Sequence, residues 1–229
     1  MPETEVIILR KTPWQESSLI VVGLSAEFGR LDFMMRGGKR VGNKDFPAVD
    51  LFRTLSVEFR DGDGGLRPLL RADLIRDHDR LTACPDHYFE ACRIAAFILR
   101  HAPNHLPAPR LYRVLARALG ELAGPAQEAN GPGWHALVRL VFLSEHGLLV
   151  VEEDGTSDES EHGLLVVEED GTSDEEGHDT QAVRRQRRLL VALLAAAEEA
   201  APIPKLKPAY WQQFGDWLDT LCRYHDVGG

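Results

Sequence analysis

The stretch "SSLIVVGLSAEFGRLDFMMRGGKR", residues 17–40, decides how the chain reads. Leu31, Phe33 and Met35 alternate with Arg30, Asp32, Met34 and Arg36. Successive side chains of a strand point to opposite faces, so this pattern predicts a strand buried on one face only. Upstream, Leu19 to Leu24 is a near-continuous apolar run, suited to a strand covered on both faces. The intervening AEFG carries turn chemistry.

Working outward, EVIILRK (5–11), LSVEFR (55–60) and LRPLLRADLIR (66–76) complete a set of five short strands. TPWQE, GGKRVGNKD and DGDGG separate them as turns. Five strands so closely joined predict a small closed or nearly closed barrel, and an SH3-like barrel fits the pattern almost as well. Phe33 and Phe59 take inward positions, whereas Trp14 and Phe46 fall in turns, where a ring is free to stack on a base.

From Pro85 the apolar period lengthens to that of helices. The first, DHYFEACRIAAFILRH, is expected to bury Tyr88, Cys92, Ala95, Ala96 and Leu99. Further helices are expected over 108–122, 133–145, 182–200 and 208–225. The predicted class is α+β, with a barrel domain at 1–80 and a helical domain at 81–229. An acidic insert at 145–179 interrupts the second domain.

That insert is a tandem duplication, EHGLLVVEEDGTSDES followed by EHGLLVVEEDGTSDEE. Two copies are too few for a solenoid, so a mobile loop or an exposed hairpin is expected. Residues 144–179 hold fourteen Asp and Glu and no Lys or Arg. The formal net charge is -10, yet without this segment 22 acids face 26 bases. The acidity belongs to the insert, and the remainder suits an acidic partner.

Signatures of catalysis are missing. The sequence has no GxxxxGK[ST], no HExxH and no GxSxG. Asp77, His78 and Asp79 read as a solvated linker. Cys84, Cys92 and Cys222 include no CxxC pair, and core packing explains them better than zinc. The expectation is therefore no enzyme, no cofactor and no metal. MPETEVII carries no signal-peptide pattern, no apolar run is long enough to span a bilayer, and three cysteines far apart suit a reducing compartment, so a cytoplasmic location is expected.

Four cations, Arg36, Lys39, Arg40 and Lys44, fall within nine residues loosened by Gly37, Gly38 and Gly42. A loop of this kind at a barrel rim brings guanidinium, ammonium and backbone N–H groups against phosphates. As a plain alternative it is a solvated hairpin loop that keeps an edge soluble. A rival from another class is a protein-interaction adaptor with no direct DNA role.

The order of these features resembles the RecO family of bacterial DNA-repair mediators. "LRKTPWQESSLIVVGLSAEFGRLDFMMRGGKR" is similar to the family's opening, ending in the basic motif Arg36-Gly37-Gly38-Lys39-Arg40. "AVDLF" (48–52) resembles the strand entry that follows, and "KLKPAYWQQF" resembles a C-terminal lysine-rich stretch. The resemblance implies an N-terminal OB-fold followed by an α-helical domain, in a nucleoid-associated protein that binds single- and double-stranded DNA and anneals complementary strands. It also implies action with RecR to load RecA onto strands coated by single-stranded DNA-binding protein (SSB). Carried over, Arg36, Lys39, Arg40 and Lys44 would be phosphate contacts, with Arg10, Lys11 and Trp14 beside them. Lys205, Lys207 and Trp211 would meet a partner. Many relatives carry a four-cysteine zinc finger near the acidic insert; those cysteines are missing here, and zinc is not carried over.

Overall fold

Alternation in the N-terminal third turns into a barrel because each strand has one apolar row to bury. The computed structural model describes residues 1–37, 49–61, 65–124, 131–149, 175–198, 201–204 and 206–224, with backbone only for 131–132 and 175–185. Strands β1 (Glu3–Trp14), β2 (Ser18–Ser25), β3 (Gly29–Met35), β4 (Thr54–Phe59) and β5 (Leu66–Arg76) close in the order β1-β2-β3-β5-β4. β3 and β5 run parallel; the other neighbours are antiparallel. This is an OB-fold, which settles the choice against an SH3-like barrel.

The inward rows meet as expected. Val6, Ile8, Val21, Leu31, Phe33, Leu55, Val57 and Phe59 form the barrel core. Phe59 meets Phe33 edge-on with ring centroids 5.5 Å apart, and Phe28 at 5.6 Å. Such pairs add stabilisation beyond the area they bury. Gly23 is needed for closure: a Cβ there would collide with Val6 Cγ1 and lie 2.9 Å from the Ile7 carbonyl oxygen.

After a 3₁₀ turn at Asp79–Ala83 come helices α1 (Pro85–His101), α2 (Pro109–Leu122), α3 (Gly131–Glu145), α4 (Glu175–Glu198) and α5 (Pro208–Tyr224). α1, α2 and α5 each open on or beside a proline, whose fixed φ suits a first turn and whose missing N–H costs nothing there. The buried stripe of α1 is not the expected one. His87, Ala91, Ile94 and Ile98 are buried, whereas Tyr88, Cys92 and Leu99 are half-buried and Ala96 is exposed. The cause is polar burial: a hydrogen bond to the Leu122 carbonyl holds the His87 ring at 2.8 Å, and Glu90 pairs with Arg93 at 3.1 Å. Both look like surface residues in the sequence.

α1 packs on β1 and α2 on β2. Their cover explains why Ile7, Val22 and Leu24, on the outside of the barrel, are buried as fully as the core. The α1–α2 connection is clamped to the β2–β3 turn. Arg30 donates from Nη1 to the Leu99 carbonyl and from Nε to Asn104 Oδ1, both at 2.5 Å. Gly29 (φ 65°) sits against the Leu106 carbonyl, where no Cβ would fit.

The chain forms two compact units, Met1–Trp134 and His135–Gly229. Strand gives way to helix at residues 76–79, but α1 and α2 belong with the barrel in the first unit. In the second, Arg139 Nη1 donates to Asp219 Oδ1, tying α3 to α5. Residues 150–174 of the duplicated segment lie outside the described residues, α3 ends at its first glutamate, and α4 starts at its final pair. No described helix is long and apolar enough to cross a membrane.

Candidate nucleic-acid interface

Beyond Leu9 the outer half of β1 loses its apolar partners, and Arg10 to Trp14 are all exposed. Pairing places this segment on a flat outer face. Arg10 pairs with Val22, which pairs with Asp32; Thr12 pairs with Ile20, which pairs with Met34; Trp14 pairs with Ser18. Leu19 pairs with Met35, the last pair of that ladder, and Arg36 follows one residue past the end of β3. Residues two apart share a face, and cross-strand partners lie side by side. Arg10, Thr12 and Trp14 therefore form one column, Ile20 the middle and Met34 the far column, with Arg36 just past its end.

The resulting surface has an apolar floor, Ile20 and Met34, each half-buried. Trp14 stands at one corner with 46% of its surface exposed. Arg36 is exposed two strand spacings away, roughly 10 Å between backbones. Arg10 and Asp32 complete the opposite edge with one charge of each sign. An indole face presented beside guanidinium groups over apolar strands can stack an unpaired base and neutralise its phosphates. On an OB-fold, the outer face of β2 and β3 is also the ordinary oligonucleotide face.

Lys11 lies on the other face of β1 and is engaged: its Nζ donates to Asp50 Oδ1 at 2.7 Å. Burial alone would raise the Asp50 carboxyl, but hydrogen bonds from Lys11 and from the Leu51 N–H outweigh it and hold it below its ordinary value. Two residues on, Phe52 adopts φ 61°, a left-handed conformation unusual for a bulky residue. Its N–H donates to the Ile8 carbonyl at 2.8 Å and its buried ring meets Tyr88 edge-on at 5.7 Å. Asp50 and Phe52 thus pin the end of the β3–β4 connection to β1 and α1. Arg36 marks its start. Lys39, Arg40, Lys44 and Phe46 lie outside the described residues, as does Lys205.

The remaining expected residues fall elsewhere. Lys207 is exposed at the start of α5, where its carbonyl accepts the N–H of Tyr210 at 3.0 Å. Trp211 is 6% exposed, so its ring is part of the interior of the second unit and offers a partner little surface. His78 is not solvated, as expected of a linker, but buried, and its Nε2 has no hydrogen-bond partner among the described residues. Burial, and then the nearby Arg76, push its pKa down, against the pull of Asp77. Asp77 itself pairs with Arg53 at 2.7 Å.

Sequence reasoning missed Ile20, Met34, Asp50 and Phe52. Only the strand register reveals the first two as the floor between Trp14 and Arg36. An available signal was Met34, an apolar residue in the polar row of its strand.

Residues 1–78 match the family described as Recombination protein O N terminal. The chain is similar to the DNA repair protein RecO of Geobacter metallireducens, 28% identical over 119 residues, 52% of this chain and 48% of that one. Similarity to DNA repair protein RecO of Aliivibrio fischeri is 29% over 116 residues, covering 51% and 48%. For that of Xanthomonas campestris pv. campestris it is 29% over 128 residues, covering 54% and 51%. The chain spans about half the length of the curated relatives it matches.

Proposed function

We propose that this chain is a member of the RecO family, whose N-terminal domain its residues 1–78 match, and on that premise that it is a non-catalytic DNA-binding mediator of recombinational repair. It binds and anneals DNA strands and helps load RecA onto SSB-coated single strands in company with RecR. The observation that carries the reading is exposed Trp14 at the end of β1 and exposed Arg36 just past the end of β3, with the half-buried pair Ile20 and Met34 on the strands between. Annealing asks for no covalent chemistry: cations that neutralise two backbones lower their repulsion, and pairing of the bases does the rest.

In this reading Arg36, Lys39, Arg40 and Lys44 hold phosphates, Arg10 extends the track, and Trp14 stacks on an unpaired base. Phosphate contacts are blind to sequence, so affinity is set by salt and strand length and not by base order. The test is annealing of complementary strands precoated with SSB, with and without RecR. Accelerated annealing that disappears when Arg36, Lys39, Arg40 and Lys44 are all changed to Ala supports the reading. Equal rates for the two proteins contradict it.

A further inference from the structure

The barrel closes along β3 and β5, and among the described residues that ladder is the shortest in the barrel. It pairs Asp32 with Leu66, Phe33 with Arg67 and Met34 with Pro68, and proline has no N–H to give a ladder. Arg67 reinforces this seam through a side chain that is 11% exposed. Its guanidinium lies over the Phe59 ring, 5.8 Å from the centroid, and its Nε donates to Asp61 Oδ1 at 3.1 Å. Nη1 lies 2.8 Å from His105 Nδ1 and 3.0 Å from Nε2.

His105 belongs to the α1–α2 connection. It adopts φ 61°, a left-handed conformation uncommon for residues other than glycine. Its N–H donates to the Arg30 carbonyl at 3.2 Å, and the Ala108 N–H donates to the Ala26 carbonyl at 3.1 Å. The connection is thus fastened to β3 and the turn before it by backbone, and to β5 by an imidazole. Arginine keeps its protons at any working pH and can only donate, so the imidazole nitrogen that accepts must be bare. A protonated imidazole has no bare nitrogen, and it sets a second positive charge against the first.

We propose that His105 and Arg67 form a proton-operated latch, which holds the α1–α2 connection over the β3–β5 seam and releases it on acidification. The groups that face the imidazole are Arg67 from β5, Arg30 and Asp32 from β3, and Asp61 beyond β4. Partial desolvation first, then Arg67 and more weakly Arg30, hold its pKa below 6.5, against the pull of Asp32 and Asp61. His105 is exposed, so solvent protons reach the ring without any prior opening. The latch is whole above pH 6.5 and weakens as pH falls from 6.5 toward the lowered native value. Asp32 and Met34 lie both on the seam and on the outer face of the barrel, so release loosens that face as well.

The test is amide exchange and histidine titration by NMR on the full chain, with exchange corrected for its intrinsic dependence on pH. From about pH 7.5 to about 5.5, protection of the His105 and Ala108 amides should fall several-fold, by at most about tenfold per pH unit for one proton. The Phe52 amide, donated to the Ile8 carbonyl, should keep its protection. His105→Asn cannot titrate and suits a left-handed backbone, so it should hold the Ala108 amide equally protected throughout. Arg67→Gln removes the facing cation, and the His105 ring should then titrate nearer 6.5 than in wild type.

Constant protection of the His105 and Ala108 amides in wild type overturns the proposal. So does an Arg67→Gln protein whose His105 ring titrates where the wild-type ring does. A fall shared equally by Phe52 would report acid unfolding of the whole unit and overturn it as well. If Arg67→Gln does not fold, His105→Asn decides: a fall that persists there places the proton elsewhere, and a fall that disappears keeps it at His105.

Discussion

Lys11 Nζ lies 2.7 Å from Asp50 Oδ1, so one cation expected to grip phosphate is already held by the protein's own carboxylate. Lys11 is 32% exposed in its side chain and Asp50 55%, and such a pair contributes about 0–1 kcal/mol to stability. A phosphate that replaces the carboxylate therefore has little to overcome. Asp50→Asn keeps an oxygen to accept the Leu51 N–H but removes the competing charge. We expect tighter single-strand binding, with a salt slope steeper by about 0.7, one further contact. Fluorescence anisotropy over a salt series measures both.

Trp14 has no structural duty that its exposure suggests, so its removal should act on binding and leave the fold alone. Base–aromatic stacking is worth about 1–3 kcal/mol per base, and Trp14→Ala should weaken single-strand binding about 5- to 150-fold. Trp14→Phe should recover most of that. Because stacking carries no charge, the salt slope should stay the same, which separates this effect from loss of Arg36.

Gly23 tests the barrel itself. Gly23→Ala places a methyl group against Val6 Cγ1 and the Ile7 carbonyl, within a strand pair that cannot widen without breaking its ladder. Overpacking of this kind costs about 1–3 kcal/mol. Urea unfolding followed by tryptophan fluorescence should show a lower midpoint, with a slope near that of wild type.

His78 gives the fold a dependence on acid. Its native pKa is lowered from the ordinary 6.5 by burial, and then by Arg76. Below pH 6.5 the unfolded chain takes up a proton there that the native state resists. The contribution is whole above 6.5 and is lost as pH falls from 6.5 toward the lowered native value. His78→Leu removes the titrating group, and its melting temperature should fall less than that of wild type between pH 7 and pH 5.

Much of this architecture was legible in advance because period is a strong signal. GRLDFMMR names its strand by alternation, and the boundary of LRPLLRADLIR was read to the residue. SSLIVVGLS announced cover on both faces, and Val22 and Leu24 beneath the helices confirm it. The α1 face was misplaced because His87 and Glu90 are buried by partners distant or local that hydropathy does not register. The outer platform was hidden for a related reason. Ile20 and Met34 acquire meaning only when the registers of two ladders bring them between Trp14 and Arg36, and register is a property of pairs of strands.

In the proposed function, the outer face of β1, β2 and β3 neutralises phosphates and stacks a base side by side. Its most direct test is single-strand affinity against salt for wild type, Arg36→Ala and Trp14→Ala side by side. The slope should be flatter by about 0.7 for Arg36→Ala, and binding weaker at unchanged slope for Trp14→Ala. Three superimposed titrations would contradict it.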